Sequence, residues 1–240
     1  MNKTFKKFKS KIKKIFDTFS QNKMRSSPKR NLHNILWERA TEQSANFVEQ
    51  YLNSCMIFNE KEQMWNYLSN LLNDKFKDGL CLEFGVGEGA SINYLSKLLS
   101  NFSFVGFDSF VGLKEDWIGH HATKGAYSQN ANFPDVNSNV KLISGWFDHK
   151  LPDYIKNNKD KFNKLRLIHI DSDTYESATS IFDELAPYLS PKIYILFDEL
   201  IGYPNWQNGE FKALEEAKNK YKFEYKYRAF SSEQALIEIM

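Results

Sequence analysis

Apolar residues in this chain follow two spacings, and the change comes near Gly79. From Leu32 to Leu72 they recur every three to four residues, which predicts helices. After Gly79, short apolar runs alternate with segments of helical spacing. Short strands that alternate with amphipathic helices predict an α/β fold with a doubly wound, mostly parallel sheet.

The second pattern predicts seven strands and three helices. We expect the strands at Leu80–Phe84, Phe102–Phe107, Val140–Ser144, Leu165–Ile170, Ile193–Phe197, Phe223–Tyr227 and Ala235–Ile239. We expect the helices at Ala90–Leu99, Glu176–Leu189 and Phe211–Tyr221. The stretch from Val111 to Asn139 has little periodicity. Since so long a loop in a compact domain is usually functional, we expect it to help cover a binding site.

The first thirty residues differ in charge from the rest of the chain. Residues 1–30 hold eleven Lys or Arg and one acid, whereas the remainder holds 21 basic and 29 acidic residues. Apolar positions in this leader, such as Phe5, Phe8, Ile12 and Ile15, have helical spacing. A basic amphipathic helix is typical of contact with anionic membranes; a solvated tail or a helix packed on a partner subunit are the alternatives. The acidic body speaks against nucleic-acid binding.

Composition places the protein among globular chains. Hydrophobic residues make up 42% and charged residues 26% of the 240 residues. The two cysteines, Cys55 and Cys81, are interpreted as reduced packing residues, and no apolar run is long enough to span a bilayer. We expect a cytoplasmic protein, with the inner face of the membrane as the place where the leader would act.

A glycine-rich turn follows the first predicted strand after Gly79. Gly85, Gly87 and Gly89 stand between that strand and the next helix, and Glu83 precedes them by two residues. Glycines let a ligand approach the backbone, and the helix N-terminus offers free N–H groups. An acid so near would repel a pyrophosphate, but it suits the positive amino acid end of S-adenosylmethionine (SAM). The alternative is a tight βα turn without a ligand.

Another acid ends the second of these strands. Asp108 lies 19 residues after Gly89, where a carboxylate can accept hydrogen bonds from ribose hydroxyls. Nicotinamide-dependent enzymes share this feature, so it indicates an adenosine ligand without choosing one. The alternative is a helix N-cap.

Four carboxylates follow two further strands. Asp171 and Asp173 come after the fourth strand, and Asp198 and Glu199 come after the fifth. Because ligands bind at the carboxyl ends of such strands, we expect Asp171, Asp198 and Glu199 to converge. Clustered carboxylates repel one another without a cation, and oxygen ligands favour Mg²⁺ or Ca²⁺. Asp173 and Glu199 have helix capping as an alternative role, and His169 is interpreted as a core histidine.

Together these residues resemble the class I SAM-dependent methyltransferases, which have a Rossmann-like fold. More narrowly, they resemble the macrocin O-methyltransferase family, which methylates sugar hydroxyls on antibiotics. The resemblance covers about Gly79 to Tyr227. Its more specific motifs are Phe107–Leu113, Gly145–Phe147 leading to Leu151–Pro152, and Asp171–Ser177.

The resemblance implies a role for each motif. It assigns Glu83, Gly85 and Gly87 to the methionine part of SAM, Asp108 and Ser109 to the ribose, and Gly145 and Trp146 to the adenine. It assigns Asp171, Asp198 and Glu199 to Mg²⁺, with Asp171 also the candidate base. The family usually has aspartate where this chain has Glu199, and a glycine pair where it has Lys192 and Ile193.

These features predict three segments. They are a basic amphipathic leader (1–30), an N-terminal helical segment (31–78) and a SAM-binding methyltransferase domain (79–240), and the helical stretch Leu32–Leu72 is a candidate for homo-oligomer contacts. The expected activity is Mg²⁺-assisted methylation of a sugar hydroxyl, on a nucleotide-linked sugar or glycoside used for bacterial surface polysaccharide. The alternatives are a methyltransferase of antibiotic glycosides or other small molecules, a nicotinamide-dependent oxidoreductase, and a non-catalytic membrane-associated binding module.

Overall fold

The computed structural model describes residues 31–240 of the chain. The leader helix predicted for residues 1–30 lies outside them. The Asn31 side chain accepts a hydrogen bond from the Asn34 backbone at 2.8 Å, which caps the start of the first helix. Residues 39–240 form one compact unit, which carries the sheet and the site.

The described residues include six α-helices. They are α1 Leu32–Glu49, α2 Lys61–Lys75, α3 Ala90–Leu98, α4 Phe147–Asn157, α5 Tyr175–Leu185 and α6 Glu210–Tyr221. Short 3₁₀ helices occupy Lys159–Lys164, Ala186–Tyr188 and Trp206–Asn208. None of the described helices has the length and apolar composition that crossing a bilayer requires.

The strands form one sheet, which contains eight strands in the described part of the chain. They are β1 Met56–Phe58, β2 Leu80–Phe84, β3 Ser103–Asp108, β4 Val140–Ser144, β5 Leu165–Ile170, β6 Tyr194–Phe197, β7 Tyr225–Ser231 and β8 Gln234–Ile239. Their spatial order is β1-β7-β8-β6-β5-β2-β3-β4. Among the strands that the structure describes, only the pairings that involve β8 are antiparallel. The predicted doubly wound, mostly parallel sheet is confirmed.

The predicted count of seven strands was one too low. The additional strand, β1, is three residues long and pairs with β7 at the edge of the sheet. Met56 and Ile57 are about half exposed, so this strand shows no alternation of apolar and polar positions. Helix α4 was also missed, because Pro152 and several charged residues interrupt its apolar spacing.

The order of the strands explains where a ligand can bind. From β2 the chain moves outward through β3 to β4, and then returns to place β5 on the other side of β2. This reversal leaves a crevice at the carboxyl ends of β2 and β5. Every residue of β2 is buried, so the crevice opens directly above the core.

Candidate active site

A cavity of about 980 Å³ opens at the carboxyl ends of the parallel strands. Its wall contains the glycine turn, Asp108, Trp146 and the acids that follow β5 and β6. A cavity of this size can hold an adenosine cofactor beside a second small molecule. The structure therefore brings most of the predicted site residues to one place.

The glycine turn is shaped by its contact with β5. Gly85, Gly87 and Gly89 all have positive φ angles, of 94°, 51° and 82°. A Cβ atom on Gly85 would lie 1.7 Å from the carbonyl oxygen of Asp171. The close approach requires glycine at position 85 and places the turn directly beside Asp171.

Asp108 fastens the glycine turn to the end of β3. Its Oδ2 accepts hydrogen bonds from the backbone N–H groups of Val86 and Gly87, both at 2.8 Å. Its Oδ1 accepts one from the backbone of Phe110 at 2.6 Å. No helix follows Asp108, so the helix-cap alternative is wrong. Because each carboxylate oxygen can accept more than one hydrogen bond, the ribose contact stays a prediction for Asp108 and the adjacent cavity residue Ser109.

Glu83 lies behind the cavity wall. Its side chain is about 1% exposed and is not part of the cavity lining. Its Oε1 accepts a hydrogen bond from the Ser91 hydroxyl at 2.8 Å, and its Oε2 lies 2.9 Å from His169 Nδ1. The predicted contact with the amino group of SAM stays a prediction, and the acid is already paired inside the sheet.

Trp146 lines the cavity on the side where adenine is predicted to bind. The backbone N–H of Gly145 donates to the carbonyl of Asp108 at 2.9 Å, which places Trp146 beside the end of β3. Trp146 lines the cavity, whereas Gly145 does not. The Lys114 ammonium lies 5.7 Å from the centre of the Trp146 ring and 2.7 Å from Asp148. An adenine contact for Gly145 and Trp146 stays a prediction.

The acids after β5 and β6 form two overlapping groups of donor atoms. Among the described residues, candidate ligand atoms lie within 4.8 Å of one another in His169, Asp171 and Asp198, and in Asp171, Asp173 and Glu199. The predicted Mg²⁺ set of Asp171, Asp198 and Glu199 is therefore divided between two groups that share Asp171. As a metal set it stays a prediction.

The electrostatics of these acids fit a divalent cation. Burial and the neighbouring carboxylates raise the pKa values of Asp171 and Glu199 well above their usual range, and raise that of Asp173 to about 7. The buried Oε2 of Glu199 has no hydrogen-bond partner among the described residues. Carboxylates that repel one another in this way are suited to share a hard cation such as Mg²⁺.

Glu210 supports the acidic turn and was not identified from the sequence. It begins α6, is fully buried, and its Oε1 accepts hydrogen bonds from the Ser172 N–H at 3.1 Å and the Ser172 hydroxyl at 3.0 Å. Asp173 has a left-handed φ of 64°, which is uncommon for a residue with a side chain. Glu210 thus holds the turn that carries Asp171 and Asp173. Its sequence signal, an acid at a helix start, is the same as that of a surface residue.

We expect the free energy of unfolding in chelator to fall as the pH rises from about 5 to about 8. Burial raises the pKa of Glu210 to about 8, and that of Asp173 to about 7. Unfolded carboxyl groups ionise near pH 4, so in this range the folded state binds more protons and loses stability as the pH rises. Thermal unfolding at several pH values measures the trend. Glu210→Gln should make the loss of stability with pH smaller, and added Mg²⁺ should also reduce this loss. A stability that does not change with pH would contradict the raised pKa values of Glu210 and Asp173.

The predicted loop from Val111 to Asn139 contains no helix or strand in the structure. Trp117, His120, His121 and Tyr127 from this loop line the cavity. The rings of Trp117 and His120 stack with their centres 4.0 Å apart. The loop thus supplies an aromatic wall near the acidic turn.

Comparison with known proteins agrees with this geometry. Residues 82–200 match the model of a methyltransferase domain family, and no curated protein matches the chain. The calicheamicin methyltransferase CalS11 is similar in structure, with a TM-score of 0.59 and 20% identity over 85% of this chain and 91% of that chain. The O-methyltransferase NovP has a TM-score of 0.53 and 16% identity over 74% and 78%.

The fold and the cavity define the class I methyltransferase architecture. The family match spans the glycine turn, Asp108 and the four acids, so the chain contains a methyltransferase domain and is a SAM-dependent methyltransferase. The nicotinamide-dependent oxidoreductase and the non-catalytic binding module are thereby left without support.

Proposed function

We propose that the enzyme methylates a hydroxyl group of a nucleotide-linked sugar with the help of a divalent cation. The observation that carries this proposal is the position of Asp171, which lies against Gly85 of the glycine turn on one side and among the acids on the other. A methyl donor on the turn and a hydroxyl acceptor at the acids would meet beside it. Proximity of this kind supplies much of the rate of a bimolecular transfer.

Each group of residues has its own role in the proposed reaction. The glycine turn and Asp108 bind and orient SAM, which supplies an activated methyl group. Asp171, Asp198 and Glu199 would hold the cation, which would supply Lewis acidity that makes a hydroxyl group more acidic. As the carbon–oxygen bond forms, the carbon–sulfur bond breaks and the sulfur keeps its electron pair. A carboxylate oxygen of Asp171 accepts the hydroxyl proton, and the aromatic loop excludes water.

A structural neighbour supports a nucleotide sugar as the acceptor. The apo structure of CalS11, described as a TDP-rhamnose 3'-O-methyltransferase, has a TM-score of 0.53 and 21% identity over 74% of this chain and 78% of that chain. The fold of the present chain is the same, and its cavity has room beside a cofactor. We propose a bacterial surface polysaccharide as the destination of the methylated sugar. An antibiotic glycoside is the second candidate, because CalS11 is described as an enzyme in calicheamicin biosynthesis.

Transfer of a labelled methyl group tests this proposal. The full-length protein is incubated with methyl-labelled SAM, Mg²⁺ or Mn²⁺, and a panel of nucleotide sugars, free glycosides and small phenols. We expect the label on a nucleotide sugar, and we expect a chelator to suppress it. Labelling of phenols alone would contradict the sugar assignment. Loss of O-methyl sugars from the surface polysaccharide of a strain without the enzyme would separate the two candidate destinations.

A further inference from the structure

One ring nitrogen of His169 has no hydrogen-bond partner among the residues that the structure describes. The residue lies in β5 beneath the cavity, and its side chain is about 1% exposed. Its Nδ1 lies 2.9 Å from Glu83 Oε2, whereas its buried Nε2 has no hydrogen-bond partner among the described residues. An unpaired nitrogen buried so deeply is costly unless something else binds it.

The partner of Nδ1 determines what Nε2 offers. Glu83 accepts the Ser91 hydroxyl hydrogen with its other oxygen, so its contact with the ring suits an Nδ1–H donor. A neutral imidazole with its proton on Nδ1 presents a lone pair at Nε2. Metal-binding histidines commonly have this arrangement, in which a carboxylate behind the ring fixes the tautomer.

The groups in front of Nε2 have the spacing of metal ligands. Nε2 lies 4.0 Å from Asp198 Oδ1, and donor atoms of His169, Asp171 and Asp198 lie within 4.8 Å of one another. Two donors that bind one ion at about 2.1 Å lie roughly 3 to 4 Å apart, depending on their angle. The side-chain amide of Gln234 donates to the same oxygen of Asp198, which orients that carboxylate.

We propose that His169 Nε2 is an additional ligand of the divalent cation assigned above to the acids and binds it beside Asp171 and Asp198, with Glu83 as the outer partner that orients the ring. The inference deepens the proposed function, since the cation is the one that serves the acceptor. An imidazole beside two carboxylates favours a first-row transition ion such as Mn²⁺ over Mg²⁺. The site is thus a mixed nitrogen and oxygen site, with His169 on β5, Asp171 directly after β5 and Asp198 directly after β6.

Pulsed electron paramagnetic resonance of the full-length protein loaded with Mn²⁺ alone tests the proposal. We expect modulation from one directly bound ¹⁴N nucleus. His169→Gln should remove this modulation and weaken Mn²⁺ binding at least about tenfold. His149→Gln is the matched control, because the His149 side chain is 73% exposed and lies outside both groups of donor atoms. It should leave both measurements unchanged.

Two further measurements distinguish the loss of a metal ligand from the loss of the fold. Retained binding of S-adenosylhomocysteine by His169→Gln shows that the variant is folded. Glu83→Gln can still accept from Nδ1, so it should keep the ¹⁴N modulation while binding Mn²⁺ more weakly. A bound Mn²⁺ without ¹⁴N modulation overturns the histidine ligand, even where methyl transfer depends on the cation. Transfer that persists in chelator by a protein that binds no Mn²⁺ overturns both the ligand and the cation in the proposed function.

Discussion

Replacement of Asp198 by asparagine is expected to abolish methyl transfer while SAM still binds. Asparagine has almost the same shape but no charge, so the acid pair with Asp171 loses its strongest hold on a cation. The acceptor hydroxyl then stays a weak nucleophile, and we expect kcat/KM to fall by about 10³-fold or more. The glycine turn and Asp108 are untouched, so S-adenosylhomocysteine should bind as it does to the unaltered protein.

Steady-state methyl transfer and calorimetric binding measure the two halves of this expectation. Asp183→Asn is the matched control. Asp183 is an exposed residue of α5 that pairs with Lys220 of α6, and it does not line the cavity. This variant should leave both quantities unchanged. Retained turnover by Asp198→Asn would remove the cation from the mechanism.

Gly85→Ala should destabilise the whole fold and remove SAM binding. Gly85 has a φ of 94°, and an added Cβ would lie 1.7 Å from the Asp171 carbonyl oxygen, which is backbone and cannot rotate away. The left-handed backbone costs about 1 to 2 kcal/mol for alanine, and overpacking adds about 1 to 3 kcal/mol or more. Because Asp171 is bonded to β2 through the Phe84 carbonyl at 2.9 Å, relief of the clash must separate β2 from β5.

Gly125→Ala separates the two contributions. Gly125 also has a positive φ, of 83°, but an added Cβ would meet nothing within 4 Å. Gly125→Ala should therefore lower the free energy of unfolding only by the cost of a left-handed backbone at alanine. Urea unfolding of both variants measures the difference, and equal losses would show that the close contact at Asp171 is not a constraint.

The central strands could be predicted from local sequence patterns because each is a short run of buried, mostly apolar residues. β2 was predicted with both ends correct, since five buried residues are bounded by Gly79 and Gly85. β1 was missed because its partner β7 lies far away in the sequence and half of its surface is exposed. A strand that is defined mainly by pairing gives little signal of its own.

The functional site was likewise predicted only in part from the sequence. The glycine turn and the acids were identified because each follows a strand whose end can be located. The pairing of Glu83 with His169 was not foreseen, since it depends on the register between β2 and β5, which are separated by 86 residues at this contact. Glu210 was missed for a similar reason, because only the packing of α6 reveals its bond to Ser172.

Calorimetric titration with S-adenosylhomocysteine, with and without Mg²⁺, tests the central claim that this cavity is a SAM site. We expect micromolar binding that does not require Mg²⁺, and we expect Asp108→Ala to abolish it, because that variant releases the glycine turn from β3. Absence of binding by the unaltered protein under both conditions would contradict the account.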